Sequence, residues 1–215
     1  MSDVRPRPLP LVVKVGGGLL RDEGLGGLRR ACAEVNKLVA RRPVLVVPGG
    51  GPFADAVRAV DAQVGLDDAV AHRLALQAMD QLGVLLATLL PDAEPLTDLV
   101  APRGLGLLAV APAFAGRPDV PESWAVTSDS LAVLAAGAIG AEEAVLLKPV
   151  AGVVARWPSD DPPLSALTAD ALEELQARGG GRVVDAYLAE AVCRTGATVT
   201  VRTPGGRSGT RITPG

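Results

Sequence analysis

Aromatic residues are scarce in this chain: two Phe, two Trp and one Tyr among 215 residues. That argues against the aromatic platforms on which single-stranded nucleic acids stack. A net charge of -3 without any basic run argues against a nucleic-acid partner of any kind. Cys32 and Cys193 are the only cysteines, too few for a disulfide framework or a thiolate metal site. No apolar stretch approaches the length of a membrane span, and no secretory leader is visible, so the expected location is the cytoplasm, with no membrane partner. Lysine is also rare. The basic residues are nearly all arginine, and the lysines are Lys14, Lys37 and Lys148. In such a background a lysine at a strand end stands out for its compact charge, whereas Lys37 reads as compositional drift.

What remains is aliphatic, with nearly half of the residues apolar, which marks a folded chain of a length that suits one domain spanning residues 1–215. The opening "MSDVRPRPLP" reads as a loose arm over residues 1–9. "LPLVVKV" reads as a buried strand. "GLGGLRRACAEVNKLVARR" follows with helical spacing, Leu28, Cys32, Val35 and Val39 falling on one side. "PVLVVPGGG" repeats the theme of an apolar run closed by glycines, and Pro52 suits the first position of the helix after it. Residues 67–90 read as a long helix with a thin polar stripe of Arg73, Gln77 and Asp80, buried in the sheet layer or in a subunit contact; a homo-oligomer, dimer or larger, is expected. Further strands are expected at "PLTDLV", "GLLAVA", "EAVLLK", "GVVARW", "ATVTVRT" and "GTRIT". Helices are expected at "TSDSLAVLAAGAIG", "TADALEELQAR" and "VVDAYLAEAVCRTG", and a loop at "PAFAGRPDVPES". The alternation predicts an α/β fold, an open αβα sandwich around a central, mostly parallel sheet. Ligands of such sheets bind beyond the carboxyl ends of the strands, where both glycine triplets fall.

The triplet Gly16-Gly17-Gly18 follows Lys14. Without Cβ atoms its amides can converge on an anion, to which the lysine adds a full charge. A tight strand-to-helix turn would also use glycine. The spacing fits neither a Walker A loop nor a dinucleotide fingerprint. Gly49-Gly50-Gly51 precedes a helix whose N-terminus is an anion site in its own right. Two triplets on one sheet edge are positioned to hold two phosphate-bearing molecules against each other. Asp129 opens the helix that begins at Thr127-Ser128; it serves there either as a first-turn acid or, if it reaches Lys14, as part of the chemistry.

Taken in order, "KVGGG", "VVPGGGPFADAVR", "VTSDSLAVLAA", "LLKPVAGV", "VVDAYLAEAV" and "GTRI" resemble the amino acid kinase family, over nearly the whole chain. The resemblance implies transfer of the terminal phosphoryl of ATP to a small anionic acceptor. It puts Lys14, Asp129 and Lys148 in catalysis, with the lysine beside the phosphoryl in flight and Asp129 orienting it. It puts Gly16, Gly17, Gly18, Lys148, Gly152 and Asp185 against the nucleotide. Gly49, Gly50, Gly51, Asp55, His72, Thr127 and Ser128 fall against the acceptor. The acceptor half is then about residues 10–140 and the nucleotide half about 141–215. Magnesium would arrive with the nucleotide phosphates, with or without direct protein ligands. Two features depart from the family. Pro149 stands where some relatives carry a lysine before the V-x-G-V turn, and no lysine follows Lys148, leaving Lys148 itself, Arg178 or Arg182 to take the late cation's place.

Within the family, "GGGPFADAVR" and "DDAVAHRLALQAMDQLG" look most like the small kinases of archaea and methylotrophic bacteria linked to methanofuran synthesis, which implies a phosphomonoester acceptor bearing an amine. Asp55 then becomes a candidate ammonium partner, or else a solvated first-turn carboxylate. His72, the only histidine, is either a core residue or a wall of the acceptor pocket. Arg117 is either a surface residue or a latch over the acceptor. Two rivals stand beside this reading: a binding or storage protein of the same fold, and a uridylate or isopentenyl phosphate type of kinase.

Overall fold

The computed structural model describes residues 8–215; the expected arm at 1–9 lies mostly outside them. The elements run β1 (Leu11–Val15), α1 (Gly17–Val39), β2 (Val44–Pro48), α2 (Gly51–Val64), α3 (Asp68–Leu89), β3 (Glu94–Leu96), β4 (Leu105–Leu108) and α4 (Val110–Phe114), and then α5 (Ser128–Ile139), β5 (Glu143–Leu147), β6 (Ala166–Thr168), α6 (Ala169–Ala177), α7 (Leu188–Thr195), β7 (Thr198–Arg202) and β8 (Thr210–Thr213). The strands form one sheet in the order β3-β4-β2-β1-β5-β7-β8-β6. All neighbouring pairs are parallel except β7 with β8. The four strands on one side of the β1–β5 seam precede residue 140 and the four on the other side follow it.

β1 and β2 are buried along their whole length because helices cover both faces of the sheet. Alternation sorts their side chains between two cores. Val12, Leu45 and Val47 pack under α5. Leu11, Val13, Val15, Val44 and Val46 pack under α1 and α3 with Leu28, Leu82 and Leu86. Lys14 has the parity of Val12, so its ammonium leaves the sheet on the α5 side.

Val15 pairs with Pro48 on one side and with Leu147 on the other. The residues that follow, Gly16, Gly49 and Lys148, therefore leave the sheet level with one another, at the point where the chain's crossovers diverge.

Several local expectations differ from what the fold adopts. The first helix begins at Gly17, not near Gly24: the glycine triplet is itself a helix start, and Gly24 (φ 61°, ψ -153°) is a kink that separates it from the periodic segment. "GVVARW" forms no strand. The Val153 amide donates to Thr210 Oγ1 of β8 and its carbonyl accepts from Leu164, so its backbone is satisfied by a loop. The edge strand β6 takes Thr168, the first residue of the helix expected at "TADALEELQAR", with the two residues before it; three residues are too few to show a period. The strand expected at "GLLAVA" ends at Leu108, and α4 takes its last two residues and the first three of the Pro-rich loop, the Val110 and Ala111 amides donating to Asp80 of α3. α7 starts at Leu188, leaving residues 183–187 as a loop. Helix α3 buries Ala71, His72, Ala75, Leu76, Met79 and Leu82 against the sheet layer, and leaves Val70 and Val84 exposed on its other side. Among the described residues no helix is long and apolar enough to cross a membrane.

Candidate active site

The two glycine triplets touch backbone to backbone. A Cβ on Gly17 would lie 2.0 Å from the Gly51 nitrogen, and one on Gly49 would lie 2.6 Å from the Gly17 nitrogen. Gly51 also adopts φ +54°, and a Cβ there would stand 2.7 Å from the Gly17 carbonyl oxygen. Glycine is needed here for close approach as well as for turning. The result is that α1 and α2 start side by side. The first amides of a helix have no intrahelical partner, so those of Gly17, Gly18, Gly50 and Gly51 collect at one point with two positive dipole ends behind them.

Below this point Asp129 bridges two lysines. Lys14 Nζ is 2.8 Å from its Oδ1, and Lys148 Nζ donates to its Oδ2 at 2.7 Å. Lys148 also donates to the Val183 carbonyl at 2.7 Å. Lys14 and Asp129 are almost wholly buried. Burial pushes the Lys14 ammonium down to about 8, against the pull of Asp129. For Asp129, burial favours the neutral acid, but the Lys14 and Lys148 charges outweigh it and hold the carboxyl at about 2. The trio carries a net positive charge when all three are ionised, next to the converging amides.

Asp129 is free to face the lysines because another residue caps its helix. Asp185 accepts from the Thr127 amide at 2.9 Å, the Thr127 hydroxyl at 2.8 Å and the Ser130 amide at 3.0 Å, and its other oxygen meets the Ser130 hydroxyl. Burial and the nearby Asp129 charge push Asp185 up to about 6. Asp185, expected against the nucleotide, is thus turned toward the start of α5.

A cleft of about 280 Å³ opens over the lysines. Lys14, Gly16, Gly17, Gly18, Gly50, Gly51, His72, Thr127, Ser128, Asp129 and Lys148 all line it, which brings eleven of the expected residues together. Four others stand elsewhere. Gly49 packs on Gly17 and Val15, and Gly152 packs on Thr210 and Pro163, where a Cβ would be 2.5 Å from the Thr210 hydroxyl. Asp185 is the helix cap. Asp55 is held by Arg21 at 2.8 Å and Arg58 at 3.1 Å, so its charge is already matched. Of the candidate late cations, Arg182 lines the cleft, whereas Arg178 pairs with Glu174 on the surface. Arg117 pairs with Asp119 beside a separate cavity.

Sequence reasoning missed Arg21, Arg58, Trp124 and Trp157, all lining the cleft. Arg58 lies over the Trp124 ring, 4.7 Å from its centroid, and Trp124 Nε1 donates to Asp61 at 2.7 Å. A signal existed for the arginines. Arg21 is four residues after Gly17 and Arg58 four after Ala54, which puts each on the cleft-facing side of its helix.

A protein cage for magnesium does not fit this site. Among the described residues no group of three His, Cys, Asp or Glu could hold a metal, and Asp129 is committed to two lysines.

The sequence pattern of the amino acid kinase family matches residues 10–203. A 5-(aminomethyl)furan-3-yl methyl phosphate kinase of Methanocaldococcus jannaschii is 28% identical over 154 residues, 68% of this chain and 69% of that protein. An acetylglutamate kinase of Acidothermus cellulolyticus is 32% identical over 187 residues, 77% of this chain, and the match spans 62% of that relative's length. Among solved structures, uridylate kinase from Archaeoglobus fulgidus has a TM-score of 0.70 at 21% identity, over 94% of this chain and 99% of that one. Aspartate kinase from Synechocystis has a TM-score of 0.72 at 18% identity, over 96% of this chain and 40% of that one. At those identities the structural likeness is one of fold. The chain is a kinase of the amino acid kinase family.

Proposed function

We propose that this kinase transfers the terminal phosphoryl of ATP to a small phosphomonoester bearing an amine, giving a diphosphate, as in the synthesis of methanofuran-type cofactors. The observation that carries the reading is the contact of the two glycine triplets directly above the Lys14–Asp129–Lys148 trio. Two phosphate-bearing molecules brought to these adjoining helix starts have their oxygens apposed, with ammonium groups at hand to offset the repulsion. A phosphomonoester is mostly ionised at neutral pH, so one of its oxygens attacks the γ-phosphorus without a general base while the bond to the ADP oxygen breaks. Positioning and cations supply the catalysis. Lys14 and Lys148 face the transferring group; Arg182 is the cleft cation placed to serve the nucleotide half. Magnesium belongs with the nucleotide phosphates rather than in a protein cage. The choice of a phosphomonoester with an amine is supported by the relative from M. jannaschii, which is named for such an acceptor. It is also supported by the two arginines along the acceptor wall.

The test is ADP release from ATP and magnesium with a panel of acceptors: the aminomethyl-furan phosphate, uridylate, isopentenyl phosphate and acetylglutamate. The reading expects the first to be used best; a clear preference for any other overturns it. Assembly as a homo-oligomer is proposed on the exposed Val60, Val64, Val70 and Val84 of α2 and α3; light scattering coupled to size exclusion checks it.

A further inference from the structure

His72 is 4% exposed and lines the cleft, yet its Nε2 has no hydrogen-bond partner. Among the described residues the other buried polar side-chain atom in that position is Asp129 Oδ1, and that oxygen faces the Lys14 ammonium at 2.8 Å. His72 Nε2 has neither a hydrogen bond nor a charge to meet it. A buried polar atom left unpaired weakens a fold, so a histidine at this place is explained when a ligand completes it.

Its surroundings say what kind of ligand. His72, Ala75 and Met79 stand at i, i+3 and i+7 on α3, so they form one stripe along the cleft wall. Ala54, Trp124 and Val126 also line the cleft with apolar atoms. The carboxylates do not compete for an amine here. Asp55 is matched by Arg21 and Arg58. Asp129 is matched by the two lysines. Asp22, the remaining carboxylate in the lining, lies near Gly18, which packs on Pro149 of the nucleotide half.

We propose that the stripe seats the body of the acceptor and that His72 reads its amine. The unprotonated ring nitrogen accepts an N–H of the aminomethyl group, while a compact apolar ring rests against Ala75, Met79 and Trp124. Asp55 takes no direct part in recognising the amine; it fixes Arg21 and Arg58, which face the acceptor's phosphate. This rests on the phosphomonoester-kinase reading above.

The experiment uses the full chain, ATP and magnesium. The acceptors are 5-(aminomethyl)furan-3-yl methyl phosphate and its analogue with methyl in place of aminomethyl. Initial rates are measured for the wild type, His72→Leu, His72→Gln and Asp55→Asn. The wild type prefers the amine by about tenfold to a hundredfold in kcat/KM, the worth of one hydrogen bond to a charged group. His72→Leu abolishes the preference through the KM of the acceptor. It leaves the KM for ATP unchanged and does not lower the melting temperature, because it removes an unpaired polar atom. His72→Gln, which keeps an acceptor oxygen, restores part of the preference. Asp55→Asn lowers kcat/KM for both acceptors alike and keeps the preference. A His72→Leu enzyme that still prefers the amine overturns the proposal, as does an Asp55→Asn enzyme that loses the preference. If the wild type uses the two acceptors equally well, the proposal falls and the kinase reading stands. If the wild type uses neither acceptor, and neither changes its tryptophan fluorescence, both fall together.

Discussion

The two ends of the cleft hold charge in opposite ways. At the lysine end a single carboxylate is shared by two ammonium groups with side chains 14% exposed or less. At the arginine end Asp55 is likewise shared by two cations, but all three side chains are 40–50% exposed. The connectivity is the same and the solvent is not. Buried charges depend on every partner, because an unmatched one cannot turn to water. Exposed pairs are screened and individually worth little. The lysine end is therefore a rigid feature of the fold and the arginine end an adjustable one.

Removing Asp129 tests this contrast most severely. Asp129→Ala leaves Lys14 and Lys148 facing each other in the interior, and stability falls by about 3–5 kcal/mol, measurable in urea denaturation. The same change at the other end, Asp55→Ala, costs no more than about 1 kcal/mol, with the difference shrinking further in high salt. Equal losses at both ends would break the comparison.

Lys14→Ala comes next. Asp129 keeps Lys148 as a partner, so the fold survives, but turnover drops by about 10²–10³, the usual effect of losing one well-placed cation or donor. Near-normal turnover in this variant removes Lys14 from the chemistry.

Smaller still is the effect of alkali. Lys14 carries its proton below about 8 and loses it above, so the charge is present at neutral pH and fades as pH rises. The kcat/KM of the free enzyme declines above about pH 8. In Lys14→Arg whatever activity remains lacks that limb, since guanidinium stays protonated. A pH–rate profile of the two proteins decides it.

Much of this arrangement is legible in the sequence for a physical reason. "LVVKVGGG" and "VLVVPGGG" are fully buried parallel strands, which read as continuous apolar runs, and the glycines that follow mark the same sheet edge. The side on which Lys14 emerges follows from the alternation of β1, and α5 is the helix it meets. What stays hidden depends on contacts between distant segments. The Asp185 cap joins residues 55 to 58 positions apart, and nothing local in "VVDAYLAEAV" distinguishes a helix cap from a nucleotide contact. The pairing of Asp55 with Arg21 crosses from α2 to α1; reading α2 alone leaves the carboxylate looking free. "GVVARW" has the composition of a strand, but β7 already occupies the place beside β5, so the segment closes as a loop against β8.

The meeting of Gly17 with Gly51 has a genetic consequence. The atoms that a new methyl group would strike at position 17 belong to the main chain of the facing turn, so no change of side chain across the gap makes room for it. An alanine at position 17 therefore has no local suppressor. Revertants of such an allele are expected at codon 17 itself.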